Sequence, residues 1–215
     1  MPDEPEAGER LRVLLATRSA GKLRELRGIL DEAGIEATTL DELGIAESPE
    51  EESIECYDTF EDNALAKARW FQRITGSPTM ADDSGLCVDA LGGAPGVFSK
   101  RYSGRSDLSG QSLDDANNAK LQNELRGADD RAASYSCAAA FVDGLHEIVA
   151  MGETFGEITT APSGHAGFGY DPYFLSSDLG KTFGDAEAPE KQAVSHRGRA
   201  FRALAAALRE RGVTN

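Results

Sequence analysis

The chain has 215 residues, 40% of them hydrophobic and 27% charged, with a formal net charge of −15. That is globular composition, long enough to bury roughly 70% of the unfolded chain's surface without metal or disulfide staples. The acidic balance excludes broad binding to duplex nucleic acid. It still admits a small polyanion, provided the few cations converge in one cleft and a divalent metal bridges to carboxylates.

Residues 1–10 read as an acidic lead-in, and a single bilobed domain is expected over residues 11–212. The run at residues 12–16 (RVLLA) reads as a short buried strand, too short to span a membrane, and no secretory signal precedes it. After the segment TRSAGK, Leu23, Leu26, Leu30 and Ala33 recur at helical spacing and Gly34 supplies the stop. Residues 35–40 form a second strand. Residues 47–62 carry eight carboxylates and no Lys or Arg. Thr59 and Asp62 form a capping box before a helix with Ala64, Ala68 and Phe71 on one face, ended by Gly76 and Pro78. TMADDSG reads as a strand running into a turn. Tyr135, Cys137, Ala139 and Phe141 alternate towards a core, and Asp143-Gly144 turns that strand into residues 146–151 as a hairpin. From Ser195 a last helix presents Phe201, Leu204 and Leu208, with Gly212 as its stop. Strand-helix units at the front and a hairpin at the back predict an α/β fold with a mixed sheet and a cleft between two lobes. Cys56, Cys87 and Cys137 form no CxxC pair, which suits a reducing cytoplasm.

Residues 17–22 sit where a strand hands over to a helix N-terminus. Backbone N–H groups, the Thr17 and Ser19 hydroxyls and the Lys22 ammonium would surround a phosphate there, although the pattern is not a Walker loop. Alternatively, Thr17 or Ser19 simply caps the helix. Arg18 and Lys22 favour the anion, because cations near a helix N-terminus oppose its dipole unless an anion joins them. Asp82 and Asp83 offer either oxygen ligands for Mg²⁺ and a water or an Asx-type turn. On successive strand positions they point to opposite faces and do different jobs. The acidic run is a solvated face or the source of one further metal ligand. The glycines around Phe168 form a plain turn or let that ring lie against a base. Lys191, His196 and Arg197 again set cations at a helix start, where a ligand contact is expected. Arg197 or His196 would donate to a purine 6-oxo group; His196 taken alone also suits a structural position.

Taken in order, LLATRSAGKLREL, TFEDNALAKA, ADDSGLCVDALGGAPGVFSKRYSG, GFGYDPYF and KQAVSHRGRA closely resemble the inosine triphosphate pyrophosphatase family, the dITP/XTP pyrophosphatases. The resemblance implies an elongated mixed β-sheet with flanking helices, two lobes around a nucleotide cleft, and usually a homodimer. It implies Mg²⁺-dependent hydrolysis of ITP, dITP and XTP to the monophosphate and pyrophosphate, clearing deaminated purines from the nucleotide pool. By the same resemblance Thr17, Arg18, Ser19, Ala20, Gly21 and Lys22 bind the triphosphate, and Asp83 is proton acceptor and metal ligand. Ser84, Phe168, Gly169, Tyr170, Asp171, Lys191, His196 and Arg197 are the remaining substrate contacts. Counting back from Thr59-Phe60 favours Glu55 over Glu50 as the second metal ligand. One departure stands out: similar members read Thr-Gly-Asn where this chain has Thr17-Arg18-Ser19, a hydroxyl in place of an amide. Two rivals are a Maf-type pyrophosphatase, which the SHRG and GFGYD segments argue against, and a nucleotide sensor without turnover.

Overall fold

The computed structural model describes residues 10–214, so all of the expected acidic lead-in except Arg10 lies outside the described residues. The front of the chain builds β1 (Arg12–Leu15), α1 (Ala20–Glu32) and β2 (Glu36–Thr39). A 3-10 turn, Pro49–Ser53, then precedes α2 (Phe60–Thr75) and the long β3 (Thr79–Val88). Beyond α3 (Gly110–Glu124), β4 (Ala132–Val142) and β5 (Glu147–Ile158) form the expected hairpin, followed by β6 (Phe174–Ser176), α4 (Ala188–Val194) and α5 (His196–Glu210). The six strands make one mixed sheet in the order β2-β1-β3-β4-β5-β6. β1 runs parallel to β2 and β3, and the other pairs are antiparallel.

The helix boundaries follow local capping chemistry. Ser19 accepts a hydrogen bond from the Lys22 N–H at 3.4 Å, so α1 begins at Ala20, and Ala20, Gly21 and Lys22 are its first turn rather than loop. Thr59 caps α2 through the Asp62 N–H at 3.1 Å, and Gly76 ends it with φ +70°, a conformation that favours glycine. Ser195 caps α5 through the Gly198 N–H at 3.0 Å.

Three apolar clusters hold the elements together. α1 and α5 bury Leu26, Ile29, Phe201, Leu204 and Leu208 on one sheet face, against Val13, Leu15, Cys137, Ala139 and Phe141. α2 buries Ala64, Ala68 and Phe71 on the opposite face, against Leu14, Ala81, Ala138 and Ala140. β4 therefore buries its even positions as fully as the odd ones, because helices cover both faces. The third cluster joins Leu121 and Leu125 to Leu86, Val88, Tyr135, Phe174 and Phe183 at the far end of the long strands. α5 sits close to β5 because Gly152 lacks a side chain: a Cβ there would lie 2.3 Å from the backbone of His196 and Ala200.

One local expectation is overturned. The Asp82-Asp83-Ser84-Gly85 segment is not a turn but the middle of β3, whose pairing with β4 continues unbroken from Thr79↔Val142 to Val88↔Ala133. The ladder and the cations described below outweigh the local turn preference of Asp, Ser and Gly.

Candidate active site

β1 and β3 stay in register only as far as Leu15↔Met80. Past that point β1's chain leaves towards α1, while β3 continues, so the edge of β3 faces a crevice at the carboxyl end of β1. α1 packs on one face of the sheet and α2 on the other, which is the switch-point geometry where open α/β sheets bind ligands. The Asp82 carbonyl, left without a strand partner on this side, accepts from Lys67 Nζ of α2 at 2.6 Å and Lys22 Nζ of α1 at 3.5 Å. Two ammonium groups thus enter the crevice from opposite faces.

Asp82 and Asp83 point to opposite faces, each with its own set of partners. Asp82 is fully buried; its Oδ2 meets Lys22 Nζ at 2.9 Å and Arg197 Nε at 3.2 Å. Burial penalises its charge, yet Lys22, Arg197 and Lys67 overcome that penalty and hold the carboxyl well below the usual carboxylate range. Asp83 accepts from Asn63 Nδ2 at 3.0 Å and from the Ser84 N–H at 2.9 Å. Burial, aided by the neighbouring Glu55 carboxylate, raises its pKa above the ordinary aspartate value despite Lys22 and Lys67 nearby. Asn63 is itself fixed, accepting from the Tyr57 N–H at 2.9 Å and donating to the Tyr57 carbonyl at 3.1 Å.

Across the crevice, Glu25 of α1 gathers the C-terminal cations. Lys191 Nζ lies 2.7 Å from both Glu25 and Asp171. Arg197 donates Nη1 to Glu25 and Nη2 to Ser84 Oγ, the latter at 2.8 Å. The cations expected to need a ligand at the start of α5 therefore meet protein carboxylates. Phe168 lies under both, its ring centre 5.1 Å from Lys191 Nζ and 5.9 Å from the Arg197 guanidinium carbon. Its ring also rests on Gly21, where a Cβ would approach it to 2.8 Å.

His196 and Tyr170 turn inward instead. The His196 ring stacks on Tyr135 at 4.6 Å with 9° between planes. Burial, with Arg197 and Lys191 nearby, lowers its pKa far enough to keep it neutral. Tyr170 buries its ring in the third apolar cluster and donates its hydroxyl to the Ser99 carbonyl at 2.8 Å. The Gly169 N–H donates to Asp114 of α3 at 2.8 Å, and the Phe168 N–H to Asp171 at 2.8 Å.

In the acidic segment Glu55 pairs with Lys67, which outweighs burial and lowers the Glu55 pKa. Glu50 instead lines an outer groove with Tyr57, Arg69 and Trp70. Glu55 and Asp83 lie close enough to Lys67 that both raise its pKa, so a cation already sits among these oxygens. Among the described residues no three His, Cys, Asp or Glu side chains form a closed metal cage. Asp83 and Glu55, both beside Lys67, are a donor set of the kind Mg²⁺ takes, since this ion binds through one or two carboxylates and completes its shell with phosphate oxygens and waters.

Sequence reading missed Glu25, Asn63, Lys67 and Tyr135 as parts of this site. Asn63 and Lys67 carried a usable signal: polar residues at i and i+4, adjoining the apolar positions Ala64 and Ala68 of the same helix. Glu25 carried none, since its partner Arg197 lies 172 residues away.

Cations converging from both faces on a switch-point crevice define a phosphate-handling α/β protein. Residues 13–207 match the Ham1 family, and the chain belongs to that family. It is 46% identical over 201 residues to a dITP/XTP pyrophosphatase of Ralstonia nicotianae, covering 92% of this chain and 96% of the relative. It is 48% identical over 203 residues to one of Frankia alni, covering 93% and 98%. A HAM1 protein structure from Coxiella burnetii superposes with a TM-score of 0.79 at 36% identity, covering 93% of this chain and 99% of that one.

Proposed function

We propose that the protein hydrolyses non-standard purine nucleoside triphosphates, dITP, XTP and ITP, to the monophosphate and pyrophosphate. The observation that carries this reading is Asp83, a carboxylate with a raised pKa at the edge of a cation-lined crevice. A base poised above the ordinary aspartate range accepts a proton from an attacking water more readily. Asn63 and the Ser84 N–H aim that carboxylate. Lys22, Thr17, Ser19 and the first-turn N–H groups of α1 bind the triphosphate, and Lys22 and Lys191 stabilise the departing pyrophosphate. Asp83 and Glu55 would hold Mg²⁺, which would supply neutralisation of phosphate charge.

Phe168 stacks on the base. Of the five N–H donors of Arg197, three serve Glu25, Asp82 and Ser84, which leaves two for a purine 6-oxo group. Donors facing that position penalise the 6-amino group of ATP, and such mismatches discriminate by about 10⁴ to 10⁵. Arg197→Ala is therefore expected to narrow the ITP-to-ATP ratio of kcat/KM; an unchanged ratio would place base reading elsewhere. Residues 11–212 act as one bilobed domain in the cytoplasm. Among the described residues no helix is long and apolar enough to cross a membrane. A homodimer is supported by the exposed row Val149, Met151 and Phe155 on the outer face of β5.

The test is pyrophosphate release from dITP, XTP, ITP, GTP, ATP, dTTP and UTP, each with and without Mg²⁺. Magnesium-dependent release confined to the first three is expected. Preference for dTTP or UTP would support the Maf-type reading, and binding without turnover would make the protein a sensor.

A further inference from the structure

We propose that Arg18 and Glu51 form a positioning pair that holds the Glu55-bearing segment against the phosphate loop and so sets the affinity for divalent metal; the inference rests on the function proposed above. Arg18 directs Nε and Nη2 to the two carboxylate oxygens of Glu51 at 2.8 and 2.7 Å, and its Nη1 donates to the Ile45 carbonyl at 3.1 Å. A planar two-point fork of this kind fixes orientation as well as distance. The side chains are only 24% and 15% exposed. By contrast the Arg12–Glu36 pair is 76% and 51% exposed, the class of surface pair that contributes little.

What each partner is attached to gives the pair its role. Arg18 lies between Thr17 and Ser19, whose hydroxyl and N–H bond each other at 3.2 Å, and Ser19 caps α1. Glu51 lies in the 3-10 turn Pro49–Ser53, where Oε1 also accepts the Ser48 N–H at 3.2 Å. Its carbonyl accepts the Ile54 N–H at 3.2 Å, and Glu55 is the next residue. Among the described side chains of residues 47–53, Glu51 alone makes an ion pair or hydrogen bond outside that segment. Glu55 thus sits one short turn after an anchor to the loop expected to hold the phosphates, while on its other side Asn63 holds the Tyr57 backbone and Arg101 Nη2 donates to the Glu55 carbonyl at 3.4 Å. With the fork made, the carboxylate is presented beside Lys67 and Asp83 in advance. Without it, metal binding has to order the segment as well, which opposes binding.

The test uses the full chain: calorimetric titration with Mn²⁺ in the absence of nucleotide, together with ITP hydrolysis across a range of Mg²⁺ concentrations. Glu51→Gln is expected to weaken Mn²⁺ binding about tenfold, the lower end of what outer partners of metal ligands contribute. The Mg²⁺ concentration for half-maximal rate rises by the same factor, with kcat at saturating Mg²⁺ unchanged. Arg18→Met gives the same loss of Mn²⁺ affinity, the Arg18→Met/Glu51→Gln double variant is no worse than either single, and the exchanged pair Arg18→Glu/Glu51→Arg recovers most of it. Should the exchanged pair fail to fold, Arg18→Lys, with a point charge in place of the fork, is expected to fall between wild type and Arg18→Met. Unchanged Mn²⁺ affinity in Glu51→Gln, even with a lowered Tm, would overturn the proposal and leave the pair a plain structural contact. Additive losses in the double variant would overturn it too. Should the wild type hydrolyse none of the nucleotides, the proposed function fails, while the Mn²⁺ titrations still decide the role of the pair.

Discussion

The two sides of the crevice are held together differently. On the α1 and α5 side, Asp82, Glu25 and Asp171 neutralise Lys22, Lys191 and Arg197 in one buried network. On the α2 side, Asp83 receives only hydrogen bonds from Asn63 and a backbone N–H, and Glu55 meets one lysine. Two aspartates adjacent in sequence thus become a permanent counter-ion and a carboxylate with a raised pKa. The lesson is that burial makes charge costly at both, and the balance of cations and carboxylates within reach decides which way each titrates.

Removing the base should show this contrast most strongly. Asp83→Asn is expected to lower kcat by at least about 10²-fold, within the range of general-base contributions, while nucleotide affinity by equilibrium dialysis is retained. Near-normal turnover would take Asp83 out of the chemistry. In the metal-free wild type the Asp83 carboxyl should titrate above the ordinary aspartate value of about 3.9, which its NMR pH titration measures, and added Mg²⁺ should lower that value, since a bound cation favours the ionised form.

Asp82→Asn should act on stability instead. It leaves Lys22 and Arg197 facing a neutral amide in a dry site, and breaking a buried pair in this way costs roughly 3 to 5 kcal/mol. Urea unfolding at pH 7 measures the loss. A change near zero would mean that Glu25 suffices for Arg197 and that Lys22 needs no carboxylate partner. The stability that Asp82 contributes is present above the unfolded aspartate pKa and is lost as pH falls through its lowered folded value.

The smallest effect is expected at His196. Its folded pKa is lowered, so the unfolded chain takes up the proton first as pH falls below about 6.5. Stability should then fall by up to about 1.4 kcal/mol per pH unit. That slope should be missing in His196→Gln. Parallel curves for the two proteins between pH 7 and 5.5 would show that the ring is protonated in the fold.

Much of the front of the fold was legible because apolar stripes, caps and stops agreed there: Ser19 and Gly34 bracket α1, and Thr59 and Gly76 bracket α2. α3 escaped because its buried face is largely amide. Asn117 and Asn118 spend their side chains on the Ser103 N–H and on the carbonyls of Lys100 and Gly169, and Leu121 is the only buried apolar residue within the helix. Asp82-Asp83-Ser84-Gly85 was misread for the opposite reason. Its local preference is for a turn, and the lysines and the arginine that hold it extended come from α1, α2 and α5. Motif residues in the crevice were readable as types in order, whereas their carboxylate and amide partners are defined only by packing.

Gly152 extends that dependence to a place without functional groups. Because the backbone of α5 rests directly on it, the height of the helix above the sheet, and with it the reach of Arg197 towards Ser84 and Glu25, is set by an absent side chain. Any larger residue there would act as a shim, tilting the arginine away from the crevice while leaving every crevice residue intact. A mutational survey confined to charged and polar positions would overlook one of the surfaces against which the site is levelled.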